Sequence, residues 1–485
     1  MMDVIIIGGG IVGTLIARQL SKYSLKILLL ERESDIAMGA TKANSAIVHA
    51  GYDPIPNSNK AKTNVRGNKL YPELCSALKV PFKRNGALIL AFNDEEAKVL
   101  EELKERGRKN GVMGLEIIKR DEILKREPNI NPEVKMALYA PSSGITSPYL
   151  LAISALENAW ENGIEVHLEE EVQGIIKRKR GYIVKTNKNS YLTRYIINAG
   201  GVYADEIMKM AGIDFPFEIT PRKGEYYVLD KKMRNLVSST IFPTPSPISK
   251  GVLVVPTVEG NILLGPNAKD VKDKEDKSTT WEGLKEVWEK ATKLVPHISF
   301  SSVINTFAGI RAGSNYKDFL IKEFKSAEGI LNFAGIDSPG LTSAPALAEI
   351  AEEWLKDKEK LIPKKNFKGE RENPLYFREL SNEEREELIK KDPSWGHIIC
   401  RCEHVSEKEL RETIRHPLTP KTLEALRKRL RIGTGRCHGA FCTPYVLKIL
   451  SEELGKPINF FTLKGENSKI LFGENKARWK YAKRS

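Results

Sequence analysis

The chain has 485 residues, 29% of them charged and 41% hydrophobic, with a formal net charge of +14. That length suggests about two to four domains, and the composition excludes disordered and fibrous classes. No apolar run approaches the ~18 residues of a membrane-spanning helix, the N-terminus already reads as a strand so that no cleavable leader is expected, and four of the five cysteines cluster late in the chain, which points to a metal site in a reducing compartment rather than a disulfide framework. A cytoplasmic protein is expected, with docking at a membrane through a partner left open.

Asp3–Ile7 is a short β-branched run suited to a buried parallel strand. Gly8, Gly10 and Gly13 follow as G-x-G-x-x-G, Thr14–Tyr23 carries a helical pattern, and Lys26–Leu30 is a second buried strand ending in Glu31. Strand, glycine turn, helix, strand and acid together form a dinucleotide-binding βαβ unit. The glycines let the backbone approach a pyrophosphate, the helix N-terminus offers free N–H groups, and Glu31 can accept from ribose hydroxyls.

The next stretch, Ser34–Asn59, is small-sided and polar, so that the backbone around Thr41, Asn44 and Ser45 can press against a ligand. His49 follows as an acid/base group, a flavin-orienting group or a hydrogen-bonded structural histidine. Helices are expected over Ala61–Leu78, Asp94–Asn110 and Ser147–Asn162, and strands over Asn85–Phe92, Ala137–Tyr139, Val166–Ile176 and Tyr182–Thr186. Tyr195–Ala199 reads as a later strand of the first sheet, delivering Gly200 and Gly201 to the same ligand. From Pro216 to Ser302 strand candidates dominate (Glu225–Leu229, Gly251–Pro256, Asn261–Gly265) with one helix near Trp281–Leu294, which suggests a separate antiparallel sheet with one covered face. Arg311 follows a candidate strand ending at Ile310, between Gly309 and Gly313. Ile330–Ala334 is another apolar strand, and Gly335–Thr342 leads from it into a helix expected over Ala344–Trp354, again a geometry for touching an anion or a ring.

These stretches resemble, in order and over roughly residues 1–355, the FAD-dependent oxidoreductases of the D-amino-acid-oxidase type, nearest the glycerol-3-phosphate dehydrogenase and L-2-hydroxyglutarate dehydrogenase branches. The resemblance implies a Rossmann-like α/β FAD-binding domain with an inserted antiparallel-sheet substrate domain. It implies adenosine at Gly8–Glu31, with the backbone of Val172 at the adenine, and the isoalloxazine beside Gly335, Ser338, Gly340, Leu341 and Thr342. It also puts an arginine of the Arg311 context over the flavin as an anion anchor; a salt-bridged arginine at a domain junction is the alternative.

Lys356–Lys365 and Ser381–Lys391 are charged and read as a solvated connector. Then come Cys400-Arg401-Cys402 and Cys437–Cys442. Four thiolates in two close pairs make a four-coordinate soft-metal site, for iron–sulfur or for zinc. Cys-x-Cys with Cys-x₄-Cys, and Gly435-Arg436-Cys437 with Gly439, resemble the bacterioferritin-associated-ferredoxin-like domain over about residues 395–452, which implies a small, mainly helical [2Fe–2S] domain. The basic run Thr419–Arg431 lacks interleaved aromatics and any nucleic-acid module, so compensation of the cluster's charge, with docking of an acidic redox partner as a further reading, is favoured over nucleic-acid binding.

The expected domains are therefore FAD binding at 1–80, 145–215 and 302–356, substrate at 81–144 and 216–301, a linker at 357–394, the cluster domain at 395–452 and a tail at 453–485. The resemblance implies oxidation of sn-glycerol 3-phosphate at C2 to dihydroxyacetone phosphate, with Arg311 on the phosphate, His49 taking the hydroxyl proton and hydride passing to the flavin. The electrons leave through the [2Fe–2S] centre to an external acceptor, with a protein redox partner expected. The alternatives are an L-2-hydroxy-acid dehydrogenase and an electron-transfer subunit of a larger oxidoreductase.

Overall fold

A computed structural model describes residues 1–245, 251–372 and 374–473; of the expected tail, residues 474–485 lie outside the described residues. The chain divides into two compact units. One is formed by Met1–Arg32 and Ile36–Glu372, the other by Glu33–Asp35 and the described residues beyond Glu372.

In the first unit, eight strands among the described residues form the cofactor sheet. Met2–Ile7 lies at its centre, parallel to Ile27–Leu30 on one side and to Ser190–Asn198 on the other. Ser190–Asn198 then takes Ile330–Ala334 as a further parallel neighbour, bringing the late glycine loop to the sheet that starts the chain. The apolar runs are buried because the sheet is covered on both faces. Ile5 and Ile7 share one apolar cluster with Ile207 and Met208 of the helix Ala204–Met210. On the other face pack the helices Ile11–Leu20, Pro148–Glu161 and Gly340–Lys358.

A second sheet contains nine strands among the described residues. Its longest ribbon pairs Ile219–Leu229 antiparallel with Val303–Ser314, from Ile219 opposite Ser314 to Leu229 opposite Val303. The remaining pairings are antiparallel apart from Thr240–Pro243 against Ala87–Leu90, which run parallel; these two strands come from distant segments, so no hairpin dictates their direction. The whole Arg311 strand belongs to this sheet, so the return to the cofactor sheet, expected at 302, comes after Ser314.

The stretch read as a solvated linker is held down along its first part. Lys364 N–H donates to the Lys22 carbonyl and Arg371 N–H to Ala77, while the Asn158 amide donates to Lys368 and Arg18 to the Gly369 carbonyl. Buried polar side chains of the first unit need these backbone partners.

The second unit is mainly helical: Glu407–Arg415, Leu423–Leu430 and Thr443–Leu454 surround one apolar core that includes Cys400 and Cys442, while Asn382–Lys391 buries none of its residues. Capping boxes start two of the helices, Ser381 with Glu384 and Ser406 with Glu409.

Candidate functional site

The glycine turn separates into two kinds of position. Gly8 has φ +109°, and a Cβ there would lie 2.4 Å from the Ala199 carbonyl oxygen; a Cβ on Gly13 would lie 2.0 Å from the Gly8 oxygen. These two glycines are required by the protein's own packing. Gly10 is different: a Cβ there would meet only the Thr41 hydroxyl at 3.4 Å. Gly10 precedes the helix Ile11–Leu20 without any side-chain cap, so the space above this helix N-terminus suits a pyrophosphate. Thr41 flanks it by accepting from Ile11 N–H at 3.0 Å. Glu31, at the end of its strand, accepts from Gly9 N–H at 2.6 Å. Asn44 ties its own loop through the Ala40 and Thr41 carbonyls and Ala46 N–H. Gly200 follows Asn198, whose amide oxygen accepts from Gly200 N–H at 3.2 Å. Val172 packs its side chain into the apolar cluster and is paired with Thr186 at the edge of the sheet.

This geometry separates two substitutions. Gly13→Ala should destabilise the fold by about 1–3 kcal/mol, because its Cβ has no room. Gly10→Ala should leave the flavin-free protein's melting temperature unchanged while weakening FAD binding by on the order of tenfold or more. Differential scanning fluorimetry with FAD titration measures both.

Around the late glycine loop, the helix Asn59–Ala77 is the organiser, and nothing in its sequence pattern announced that role. Gly67 crosses the Gly340–Lys358 helix so closely that a Cβ would lie 2.0 Å from the Thr342 oxygen. Pro345 lacks the N–H that would bond to the Leu341 carbonyl, and the Tyr71 hydroxyl donates to that carbonyl at 2.6 Å instead. Pro72 likewise frees the Asn68 carbonyl, which Arg84 takes at 2.7 Å. Asn64 and Asn68 both donate to the His49 carbonyl, at 2.8 and 2.9 Å, and His49 N–H donates to the Thr342 hydroxyl at 2.9 Å. Asn64 and Asn68 stand one turn apart on a helix and are both buried, a pattern visible in the sequence only once burial is known. His49 is thus fixed through its main chain, and its Nε2 lies 3.5 Å from the Ser338 hydroxyl. Lys60 pairs with Asp337 of the same loop at 2.7 Å. Gly335, at φ +66°, allows the loop to pass the Ser314 hydroxyl.

Arg311 and Ser45 approach through the second sheet. A Cβ on Gly309 would lie 2.1 Å from the Ala43 oxygen, so the ribbon presses directly on the small-sided loop. The Arg311 guanidinium donates to the carbonyls of Asn267 at 2.7 Å, Lys223 at 3.3 Å and Arg222 at 3.4 Å. Among the described residues it has no carboxylate partner, and Nη1 makes no hydrogen bond, so the salt-bridged alternative does not hold. Burial pulls its pKa down, with Tyr226 opposing. Tyr226 went unnoticed in the sequence. Its ring stacks on Phe307 at 4.5 Å, and its hydroxyl lies 3.3 Å from Ser45 Oγ.

In the second unit the cysteines come together in pairs. Cys402 and Cys437 stand 3.8 Å apart, sulfur to sulfur. Cys400 and Cys442 share a hydrogen bond, which with the N–H groups of Gly433, Glu403 and Cys402 draws the Cys400 thiol down to about 6 against the effect of burial. At Cys437 burial pushes upward, but the N–H groups of Gly439 and Phe441 and the Cys402 thiol outweigh it. Gly435 is required here, since a Cβ would lie 2.4 Å from Cys402 Cβ. Among the described residues, no three His, Cys, Asp or Glu side chains converge tightly enough to hold one metal ion. Four cysteines in two pairs are a donor set that suits the two irons of a [2Fe–2S] centre, two thiolates to each.

The profile of the family described as FAD dependent oxidoreductase matches residues 3–354, and that of the BFD-like [2Fe–2S] binding domain matches residues 398–452. A glycerol 3-phosphate dehydrogenase of Caloramator mitchellensis is 46% identical over 98% of this chain and 99% of its own. A glycerol 3-phosphate oxidase of Mycoplasma genitalium is 35% identical over 73% of this chain and 94% of its own. Among solved structures, the dithionite-reduced, FAD-bound L-α-glycerophosphate oxidase of Mycoplasma pneumoniae is 34% identical and covers 76% of this chain and 98% of its own with a TM-score of 0.72. No helix among the described residues is long and apolar enough to cross a membrane.

Proposed function

The chain belongs to the family of FAD dependent oxidoreductases and carries a BFD-like [2Fe–2S] binding domain, and from that premise we propose that it oxidises sn-glycerol 3-phosphate at C2 to dihydroxyacetone phosphate and exports the electrons through the [2Fe–2S] centre to an external acceptor. The observation that carries this reading is the glycerol 3-phosphate dehydrogenase matched along 98% of the chain, so that the likeness takes in both cofactor modules. The oxidase relatives leave about a quarter of this chain without a counterpart, which favours a dehydrogenase.

FAD, when bound by Gly8–Glu31 and the Gly335–Thr342 loop, supplies the ring that accepts a hydride from C2. The protein's own part is to anchor the anion and take the proton. Arg311 is preorganised by three carbonyls and makes no ion pair among the described residues, with Asp337 and Asp270 acting on its charge only from a distance, so an incoming phosphate completes its shell with charge-assisted bonds. His49, held by Thr342, Asn64 and Asn68, takes up the C2 hydroxyl proton at Nε2.

Arg311→Lys should cost about 1.5–3 kcal/mol of substrate interaction, because an ammonium cannot reproduce the planar fork. That corresponds to about a 10- to 150-fold fall in kcat/KM with FAD content unchanged. Anaerobic bleaching of the flavin tests the substrate itself. Glycerol 3-phosphate should bleach it and plain glycerol should not; bleaching by L-2-hydroxyglutarate alone would move the assignment to a hydroxy-acid dehydrogenase.

A further inference from the structure

The two cysteine pairs face different surroundings. Cys400 and Cys442 are 2% and 3% exposed and belong to the apolar core of the second unit. Cys402 is exposed and Cys437 half-buried. One edge of the cluster site therefore opens to solvent, on the loops that carry Arg401 and Phe441.

That edge is lined by unusual neighbours. Phe441, directly before Cys442, is 79% exposed, and Tyr445, in the first turn of the following helix, is 54% exposed. Two large aromatic rings four residues apart and open to water are apolar surface of the kind that marks an association site. The loops beside them expose cationic side chains, Arg401 and Arg436. Lys448, one turn beyond Tyr445, is 70% exposed and only loosely paired, 3.9 Å from Glu452 on the same helix. The carboxylate in these two loops, Glu403, is buried and accepts from Arg431 Nε at 2.9 Å. The exposed charge of the loops is thus cationic, and a complementary surface must be acidic.

We propose that this face docks a separate acidic one-electron carrier protein, which takes electrons from the cluster one at a time. The proposal rests on the reading that the [2Fe–2S] centre is the exit for electrons. Each turnover removes two electrons and two protons from the substrate alcohol; two oxidised carriers take one electron each, and both protons pass to solvent.

The test uses the full-length enzyme with both cofactors and two haem proteins of opposite charge, acidic cytochrome b5 and basic cytochrome c, reduced anaerobically by glycerol 3-phosphate. Reduction of cytochrome b5 should be the faster, and its kcat/KM should fall at least about tenfold between about 20 and 300 mM NaCl as the attraction is screened. The double variant Phe441→Ser/Tyr445→Ser and the charge variant Arg401→Glu/Lys448→Glu should each lower that kcat/KM at least about tenfold, with the cluster's absorbance, the FAD content and the rate with a small neutral dye unchanged. Wild-type rates in both variants, a salt-independent rate, no reduction of cytochrome b5, or faster reduction of cytochrome c would each overturn the proposal. Undiminished cytochrome b5 reduction by a cluster-free Cys437→Ser enzyme would instead overturn the exit reading itself, and the docking proposal with it.

Discussion

Substitution of His49 by glutamine is expected to slow anaerobic flavin reduction by glycerol 3-phosphate by about 10²- to 10⁴-fold, the range for losing a general base. Glutamine keeps a polar end near Ser338 but accepts no proton. The fixing bonds of this position run through its main chain, from Asn64, Asn68 and to Thr342, so they survive the change and FAD content should stay the same. The pH profile separates chemistry from packing. With His49 as the base, the wild-type rate should carry an acid limb that the variant lacks. A variant with near-normal rate and an unchanged acid limb would place the base elsewhere.

Cys437→Ser should abolish the cluster while sparing the flavin. Wild-type protein purified without oxygen should hold about two irons and two acid-labile sulfides per chain, and the variant essentially none. Cys437 lies outside the apolar core that contains Cys400 and Cys442, so the second unit should still fold. Substrate should bleach the variant's flavin as before, while reduction of one-electron protein acceptors is lost. One zinc per chain and no labile sulfide in the wild type would refute the electron-export reading.

Much of the fold around the glycine turn was legible because its signals are local. Asp3–Glu31 states its strand, turn and helix within one stretch, and Trp281–Leu294 and Ile330–Ala334 match their expected bounds residue for residue. What escaped depends on distant partners. The helix expected from Ala344 begins at Gly340, inside the stretch read as a glycine turn, where Tyr71 satisfies the Leu341 carbonyl that Pro345 frees. Arg311 looked as though it followed a strand ending at Ile310, because Gly309 and Gly313 look like interruptions. It lies inside Val303–Ser314, where Gly309 is small to admit the Ala43 carbonyl. The roles of Asn64, Asn68 and Tyr226 exist only through contacts with residues far along the chain.

The cofactor sheet closes only when Ile330–Ala334 joins Ser190–Asn198, and this sets an order of events on the ribosome. A growing chain exposes its glycine turn almost at once, yet the loop Gly335–Thr342 must emerge before a flavin can be enclosed. The first cysteine of the cluster, Cys400, is synthesised later still. Since units fold as they emerge from the N-terminal side, the flavin is expected to load before the cluster is built. Protein made under iron starvation should then be yellow and bleached by glycerol 3-phosphate, yet reduce one-electron protein acceptors poorly.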